Sequence, residues 1–178
     1  MTKLTHTLLF TAVSLAAASV GFLAYRAMAP APAYQASPTA EIADFSLPDL
    51  NGQQQTLDSW KGSWRLVNFW ATWCPPCVEE MPLLNELQSE YDAHNLQIIG
   101  IALDDEPAVK QFAERLNINF PLLLAEQSGS ALTRQWGNRD GALPFSALVT
   151  PSGDVAERWL GQLKPEEIRN TLNQYLKP

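Results

Sequence analysis

The chain has 178 residues, of which 46% are hydrophobic and 17% charged, and its formal net charge is −7. The apolar content is too high for intrinsic disorder, and the 9 glycines are too few for a collagen-like repeat. The acidic balance argues against a nucleic-acid-binding protein, because such proteins concentrate lysine and arginine on one face. One globular domain with a core of useful size is therefore expected.

An apolar segment opens the chain. The stretch from Thr7 to Tyr25 contains neither a charge nor a proline, and Lys3 and Arg26 bracket it. About 20 apolar residues span a bilayer, whereas the apolar part of a cleavable signal is roughly 7–15 residues long. We therefore predict that residues 1–27 form a membrane anchor. The alternative is a signal peptide cleaved near Ala29, and under both alternatives the rest of the chain is exported.

Residues 28–40 differ in composition from the segments on either side. They contain three prolines, five alanines and no charge, which is typical of a semi-extended tether. All the acidic residues of the chain follow this tether. We predict that residues 41–178 form the folded domain.

Within this domain, strand-like and helix-like patterns alternate. Short apolar runs rich in β-formers predict buried strands, whereas apolar residues at three- and four-residue steps predict helices. The predicted strands are 65–70, 96–103, 120–124, 144–149 and 154–159. The predicted helices are 76–92, 107–116, 128–136 and one that begins near Pro165. This order implies an α/β fold in which helices cover a mixed sheet.

The only two cysteines, Cys74 and Cys77, lie in the sequence Trp-Cys-Pro-Pro-Cys, where the first predicted helix begins. The partial positive charge at a helix N-terminus favours a thiolate, so we predict that Cys74 is the attacking sulfur. Cys77, one turn later, can close a disulfide and resolve a mixed disulfide with another protein. Pro75 and Pro76 stiffen the turn, but they lack the N–H groups that could donate to the thiolate.

Other uses of the cysteine pair are less favourable. A structural zinc ion needs four ligands, and the only other soft ligands are His6, beside the predicted anchor, and His94, so no metal site is predicted. A disulfide that closes so short a loop removes little chain entropy and would stabilise the fold poorly. We therefore predict a redox-active pair that needs no bound cofactor.

The residues around the pair resemble a known family. Residues 67–77 read Val-Asn-Phe-Trp-Ala-Thr-Trp-Cys-Pro-Pro-Cys, and Glu-Met-Pro follows at 80–82. This pattern is similar to that of the membrane-tethered thiol-disulfide oxidoreductases of the TlpA/ResA type, within the thioredoxin superfamily. The resemblance covers roughly residues 42–178. Its further segments are Phe-x-Leu-x-Asp-x-x-Gly at 45–52, Leu-x-x-Trp-Lys-Gly at 57–62 and Leu-Pro at 143–144.

The resemblance implies a thioredoxin fold, with a mixed central sheet flanked by helices and an added N-terminal β-hairpin. It also implies a bacterial periplasmic location, tethered to the inner membrane by the N-terminal anchor, or soluble after cleavage. The implied activity is reduction of protein disulfides, often during cytochrome c maturation. The implied partners are protein disulfide substrates, a membrane carrier of thiol reductant and the bilayer, and we expect a monomer.

Site residues follow from the resemblance by position. Cys74 is the nucleophile, Cys77 the resolving thiol and Pro144 a cis-proline that packs beside the disulfide. The implied substrate contacts are Trp73, Pro75, Pro76, Leu143 and Pro144, with Trp73 alternatively a packing residue. Family members usually have Thr after this proline, and the bulky Phe145 departs from that pattern.

Asn68 and Glu80 bear on proton transfer. Thioredoxin carries a buried Asp at the place of Asn68, where it can exchange protons with the inner cysteine, and Asn cannot titrate. Glu80 follows Cys77 by three residues and so projects from nearly the same helical face, where a buried carboxylate could accept the proton of Cys77. The alternative is a solvated helix glutamate like Glu79.

Three other functions remain open. A disulfide-donating oxidase differs from a reductase in reduction potential, and roughly 30 mV corresponds to about 1.4 kcal/mol. In the family the residue after the second cysteine is commonly basic, and here it is Val78. Less positive charge near the pair should make the thiolate form of Cys74 slightly less favoured relative to the thiol. A peroxiredoxin would have Thr or Ser at the position of Ala71 and Pro at that of Val67. A binding module would not need the cysteines.

Overall fold

The computed structural model describes residues 44–176. The predicted anchor at residues 1–27 and the predicted tether at 28–40 lie outside this range. Within residues 44–176, no helix combines the length and the apolar character required to cross a bilayer. The predicted folded domain is thus described almost completely.

The strands and helices follow the predicted order. The strands are β1 (Ser46–Pro48), β2 (Gln54–Thr56), β3 (Trp64–Trp70), β4 (Leu96–Ala102), β5 (Leu122–Leu124), β6 (Phe145–Val149) and β7 (Val155–Leu160). The helices are α1 (Pro75–Tyr91), α2 (Glu106–Leu116), α3 (Gly129–Gln135) and α4 (Pro165–Tyr175). Short 3-10 segments lie at Leu57–Trp60 and Asp92–His94. The predicted strand at 120–124 is shorter than expected, because Pro121 has no N–H to add to the ladder.

β1 and β2 form the expected N-terminal hairpin. They pair antiparallel, and the Asp49 carboxylate accepts hydrogen bonds from two backbone N–H groups of the turn between them. Gly52 has φ 78°, a conformation that favours glycine. Phe45 and Leu47 are buried against the rest of the domain. These contacts give a structural role to each named residue of the Phe-x-Leu-x-Asp-x-x-Gly pattern.

A five-stranded mixed sheet forms the centre of the domain, in the order β5-β4-β3-β6-β7. The pairs β3–β4 and β4–β5 are parallel, whereas β6 and β7 join antiparallel to the β3 side. The parallel register aligns Trp70 with Ala102 at the ends of β3 and β4. The loops that follow these two strands therefore leave the sheet at the same edge.

Side-chain alternation along β3 divides the core between the two faces of the sheet. Leu66 and Trp70 belong to the cluster formed with α1, α2 and α4, whereas Val67 and Phe69 belong to the cluster formed with β1 and α3. Asn68 lies between Val67 and Phe69 in sequence and so faces the same side as Leu66 and Trp70. That side is covered by α1, the helix that begins at the cysteine pair.

Candidate active site

The cysteine pair lies at the start of α1. Cys74 is the N-cap residue and Cys77 lies in the first turn, with the sulfurs joined in a disulfide and the Cα atoms 5.3 Å apart. Cys74 is 5% exposed and Cys77 is fully buried. Of the two cysteines only Cys74 retains exposed surface, so an incoming thiol or disulfide is expected to meet Cys74 first.

The first two residues of α1 offer no backbone hydrogen-bond donor to the sulfur of Cys74. Pro75 and Pro76 occupy the first helical positions, where they favour helix initiation but have no N–H. The first turn reads Pro-Pro-Cys-Val and carries no charge. A thiolate at Cys74 thus receives less stabilisation than an ordinary helix N-terminus provides.

Glu80 is a buried carboxyl on the same helix. It is 1% exposed, whereas Glu79 is exposed, so the alternative of a solvated glutamate is wrong. Its Oε1 accepts a hydrogen bond from Asn68 Nδ2 at 2.7 Å, and its Oε2 accepts one from the backbone N–H of Leu163 at 2.8 Å. Burial raises the pKa of Glu80 to about 7, and these two bonds limit the rise because they favour the charged form. Such a group can exchange a proton at neutral pH.

Asn68 joins β3 to both Glu80 and β6. The sheet register places Asn68 opposite Ser146, and Asn68 Nδ2 also donates to Ser146 Oγ at 2.9 Å. Both residues are fully buried. Within residues 44–176, Asn68 Oδ1 has no hydrogen-bond partner. Asn68 therefore fixes the carboxyl of Glu80 through its amide, without a titratable proton of its own.

Pro144 adopts the cis peptide bond that the resemblance implied. Its carbonyl oxygen accepts a hydrogen bond from the backbone N–H of Gly161 at 2.8 Å, which ties the proline loop to the end of β7. Phe145 is fully buried and packs on Phe69, with ring centroids 5.8 Å apart, in the cluster opposite the cysteines. The replacement of the family's usual Thr by Phe145 therefore affects the packing of the core and not the surface near the Cys74–Cys77 pair.

Two exposed apolar side chains lie in sequence next to the cysteine turn and to the segment that is bonded to Pro144. Among residues 44–176, the exposed large hydrophobic side chains are Trp73, at 65%, and Leu160, at 44%. Trp73 directly precedes Cys74, and its high exposure shows that the alternative of a packing residue is wrong. Leu160 directly precedes Gly161, whose backbone N–H donates to the Pro144 carbonyl. Of the other predicted contacts, Pro75 is exposed, Pro76 and Leu143 are half-buried, and Pro144 is buried.

Sequence reasoning did not identify three residues of this site. Ser146 has a weak signal, a single hydroxyl within an apolar strand. Leu160 could have been noticed as an apolar residue at a strand end, directly before a glycine. Leu163 acts through its backbone N–H, so its side chain gives no signal of the role.

Comparisons with known proteins agree with this geometry. Residues 38–158 match the model of the AhpC/TSA family. The thiol-disulfide oxidoreductase ResA of Bacillus anthracis is 35% identical over 138 residues, which cover 77% of this chain and 75% of the relative. The thioredoxin-like protein YneN of Bacillus subtilis is 40% identical over 137 residues, which cover 75% of this chain and 77% of the relative.

A solved structure matches as well. It is a thiol:disulfide interchange protein of the thioredoxin family from Chlorobium tepidum, 28% identical, with a TM-score of 0.66. The match covers 80% of this chain and 99% of that protein. The similarity thus extends over the part of the chain that carries the cysteine pair, the cis-proline and Glu80.

Proposed function

Because this chain belongs to the AhpC/TSA family and is a thiol-disulfide oxidoreductase of the ResA type, we propose that it reduces disulfides of exported proteins through Cys74 and Cys77. One observation carries the proposal. The disulfide lies at the uncharged start of α1, with Cys74 5% exposed and Cys77 fully buried on the helix that carries Glu80. The electrons are carried by the cysteines themselves, and no bound cofactor takes part.

The cycle starts from the reduced pair. The Cys74 thiolate attacks one sulfur of a substrate disulfide, which forms a mixed disulfide and releases the other substrate sulfur as a thiolate. The Cys77 sulfur then attacks Cys74, closes the Cys74–Cys77 disulfide and releases the second substrate sulfur. Two electrons have passed from the dithiol to the substrate, and the enzyme is left in the oxidised state that the structure has.

Glu80 acts in the second step, in which the Cys77 sulfur attacks Cys74. Cys77 must lose its proton to become a nucleophile, and it is sealed from solvent. Glu80 lies three residues later on α1 and is buried, with a pKa raised to about 7 by that burial. Its carboxylate accepts the proton of Cys77 when the thiol attacks, and it returns the proton when the pair is reduced again.

Poor stabilisation of the Cys74 thiolate supports the proposed direction of electron flow. A pair whose reduced form is stabilised is a strong oxidant, so weak stabilisation of the thiolate favours the disulfide and makes the dithiol a reductant. The prolines at 75 and 76 remove donors, and Val78 adds no positive charge. These features support a reductase over a disulfide-donating oxidase.

The equilibrium potential of the pair tests this direction. The full chain would be equilibrated with glutathione buffers, and the fraction of disulfide read from tryptophan fluorescence. We expect a potential closer to that of thioredoxin, about −270 mV, than to that of strong oxidants, about −120 mV. A value near the oxidants would reverse the assignment and favour the oxidase.

Substrate contacts in this proposal surround Cys74. Trp73 and Leu160 offer exposed apolar surface, and Pro75, Pro76, Leu143 and Pro144 complete the predicted contact set. An extended substrate segment would place its disulfide over Cys74 and its apolar side chains on Trp73 and Leu160. The surface suits an unfolded or flexible polypeptide, since it offers two separated apolar contacts.

The cellular setting is also proposed. The apolar segment at residues 1–27 tethers the domain to the outer face of the inner membrane. There a membrane carrier of thiol reductant reduces the Cys74–Cys77 disulfide again. The enzyme acts as a monomer. The substrate is the disulfide of an apocytochrome c haem-attachment motif, Cys-x-x-Cys-His. A Cys77→Ser variant should trap such a peptide as a mixed disulfide on Cys74, with the Cys74→Ser variant as the control. Failure to trap it, with other protein disulfides trapped, would exclude this substrate class.

A further inference from the structure

The carboxylate of Asp104 binds the turn that precedes Cys74. Its Oδ2 accepts hydrogen bonds from the backbone N–H of Thr72 at 3.0 Å and from the Thr72 hydroxyl at 2.5 Å. Its Oδ1 accepts a hydrogen bond from the backbone N–H of Asp105 at 2.9 Å. One side chain thus receives both donors of a residue that lies two positions before the reactive sulfur.

The sheet register explains why these residues meet. Trp70 and Ala102 are paired at the ends of the parallel strands β3 and β4, and the N–H of Leu103 donates to the carbonyl of Trp70 at 2.8 Å. Thr72 and Asp104 each lie two residues beyond these paired ends. The parallel pairing therefore brings the loop after β4 against the loop that leads to Cys74.

Apart from Thr72, the residues of the turn from Ala71 to Pro75 contribute few hydrogen bonds that hold the turn in place. Its backbone closes with a hydrogen bond from Cys74 N–H to the Ala71 carbonyl at 3.2 Å. The side chain of Trp73 is 65% exposed, and Pro75 has no N–H with which to anchor the chain. Thr72, half-buried and doubly bonded, is the point where this turn is fastened to the sheet edge.

We propose that Asp104 is a positioning residue for disulfide exchange, because its two hydrogen bonds with Thr72 hold the turn that presents the Cys74 sulfur to the substrate disulfide. The attack must occur along the axis of the disulfide that is broken, so small displacements of the nucleophile slow the reaction. The inference rests on the proposed role of Cys74 as the attacking sulfur. It does not depend on the direction of electron flow or on Glu80.

A positioning role and a purely electrostatic role predict opposite effects. A carboxylate near Cys74 disfavours the thiolate, so removing its charge alone would lower the pKa of Cys74 and accelerate exchange below that pKa. Loss of the hydrogen bonds would instead lower the rate reached when Cys74 is fully ionised. The limiting rate at high pH and the midpoint of the pH profile therefore separate the two roles.

The test uses the full chain with Cys77→Ser, so that Cys74 is the single thiol. The rate of mixed-disulfide formation with an oxidised protein disulfide is measured from about pH 5 to 10.5, so that the range extends well above the ordinary Cys pKa of about 8.5. Asp104→Ala should lower the limiting rate about tenfold, the size expected for lost hydrogen bonds to a charged group, with little change in the midpoint. Asp104→Asn, whose amide oxygen can still accept from Thr72, should stay within about threefold of the parent. Thr72→Val, which loses only the hydroxyl, should fall between them.

Two controls complete the design. Asp105→Asn removes a neighbouring exposed charge and keeps an N-cap side chain on α2, so it should leave the profile unchanged. The double variant Asp104→Ala, Thr72→Val should be no slower than Asp104→Ala alone, because both changes break the same contact.

Three results would overturn the positioning role. They are an unchanged limiting rate in Asp104→Ala, an accelerated reaction with a lowered midpoint, or an equal loss in Asp105→Asn. If Asp104→Ala does not fold, Asp104→Asn and Thr72→Val decide the question through the same ratio of limiting rates. Failure of the Cys77→Ser parent to form any mixed disulfide would overturn the role of Cys74 as well, which distinguishes the two failures.

Discussion

The backbone N–H of Leu163 donates to Glu80 Oε2 at 2.8 Å, although the two residues are 83 positions apart. Leu163 lies in the segment between β7 and α4, and Asn68 on β3 holds the other carboxyl oxygen at 2.7 Å. The carboxyl on α1 is thereby fixed from two directions. Its pKa is raised to about 7 by burial, so its proton is exchanged in the range where the enzyme would work.

Replacement of Glu80 by Gln should slow the release of substrate from the mixed disulfide. In the parent, this second step should accelerate as pH rises through about 7, because ionised Glu80 accepts the Cys77 proton. Glu80→Gln should lose that inflection and fall by about 100-fold at neutral pH, the low end for a general base. Rapid mixing of the reduced enzyme with a fluorescent disulfide peptide measures the step.

The control for this prediction is Glu79→Gln. Glu79 is exposed on the same turn of α1, so its replacement removes the same charge without touching the buried network. It should retain the rate and the inflection of the parent. Loss of the inflection in both variants, or in neither, would contradict the assignment of Glu80 as the proton acceptor.

Glu80 should also make the stability of the fold depend on pH. The folded-state pKa is about 7 and the ordinary value is 4.5, so between these values the folded protein holds a proton that the unfolded chain has released. The free energy of unfolding should therefore fall as pH rises from about 4.5 to 7, by roughly 3 kcal/mol at most. The stabilisation from protonated Glu80 is complete below the lower value and lost above the upper one.

Urea denaturation of the oxidised protein at several pH values measures this effect. Glu80→Gln has no carboxyl at this position, so the stability difference between the parent and this variant should decline across the same window. Glu79→Gln should track the parent. A difference that is constant with pH would mean that the folded-state pKa of Glu80 is ordinary.

Replacement of Asn68 by Asp should shift the pH profile of the second step. The new carboxyl would stand about where the amide nitrogen now lies, 2.7 Å from Glu80 Oε1. Two carboxyls at this distance cannot both ionise easily, so the midpoint should rise by about one unit or more, and the rate at neutral pH should fall. Ser146→Ala, which removes the other hydrogen bond of Asn68 without adding charge, should leave the midpoint nearly unchanged. An unshifted midpoint in Asn68→Asp would indicate that the two groups are not coupled.

The sequence patterns predicted the position of each central strand and helix because their signals are local. Alternation in β3 and the three- and four-residue steps of α1 depend on neighbouring residues alone. The burial of Glu80 was harder to predict from the sequence, because Glu79 and Glu80 are the same residue type and only their positions around the helix distinguish them. Leu163 acts through its backbone N–H, which any residue except proline possesses, and Thr72 acts through its backbone N–H together with its hydroxyl. Their roles depend on tertiary approach, which no local pattern encodes.

The proposed substrate surface can be tested at Trp73 and Leu160. Trp73→Ala removes an exposed apolar side chain next to Cys74, and Leu160→Ser removes one next to the segment bonded to Pro144. Each variant should raise KM for the reaction of the reduced enzyme with a protein disulfide by about tenfold, with kcat nearly unchanged. Both side chains are solvent-exposed, so the stability cost should be small. Oxidised glutathione serves as the control substrate, because it is too small to contact both side chains. If the variants slow the reaction with glutathione and with protein equally, the two residues act on the cysteine pair itself and not on substrate binding.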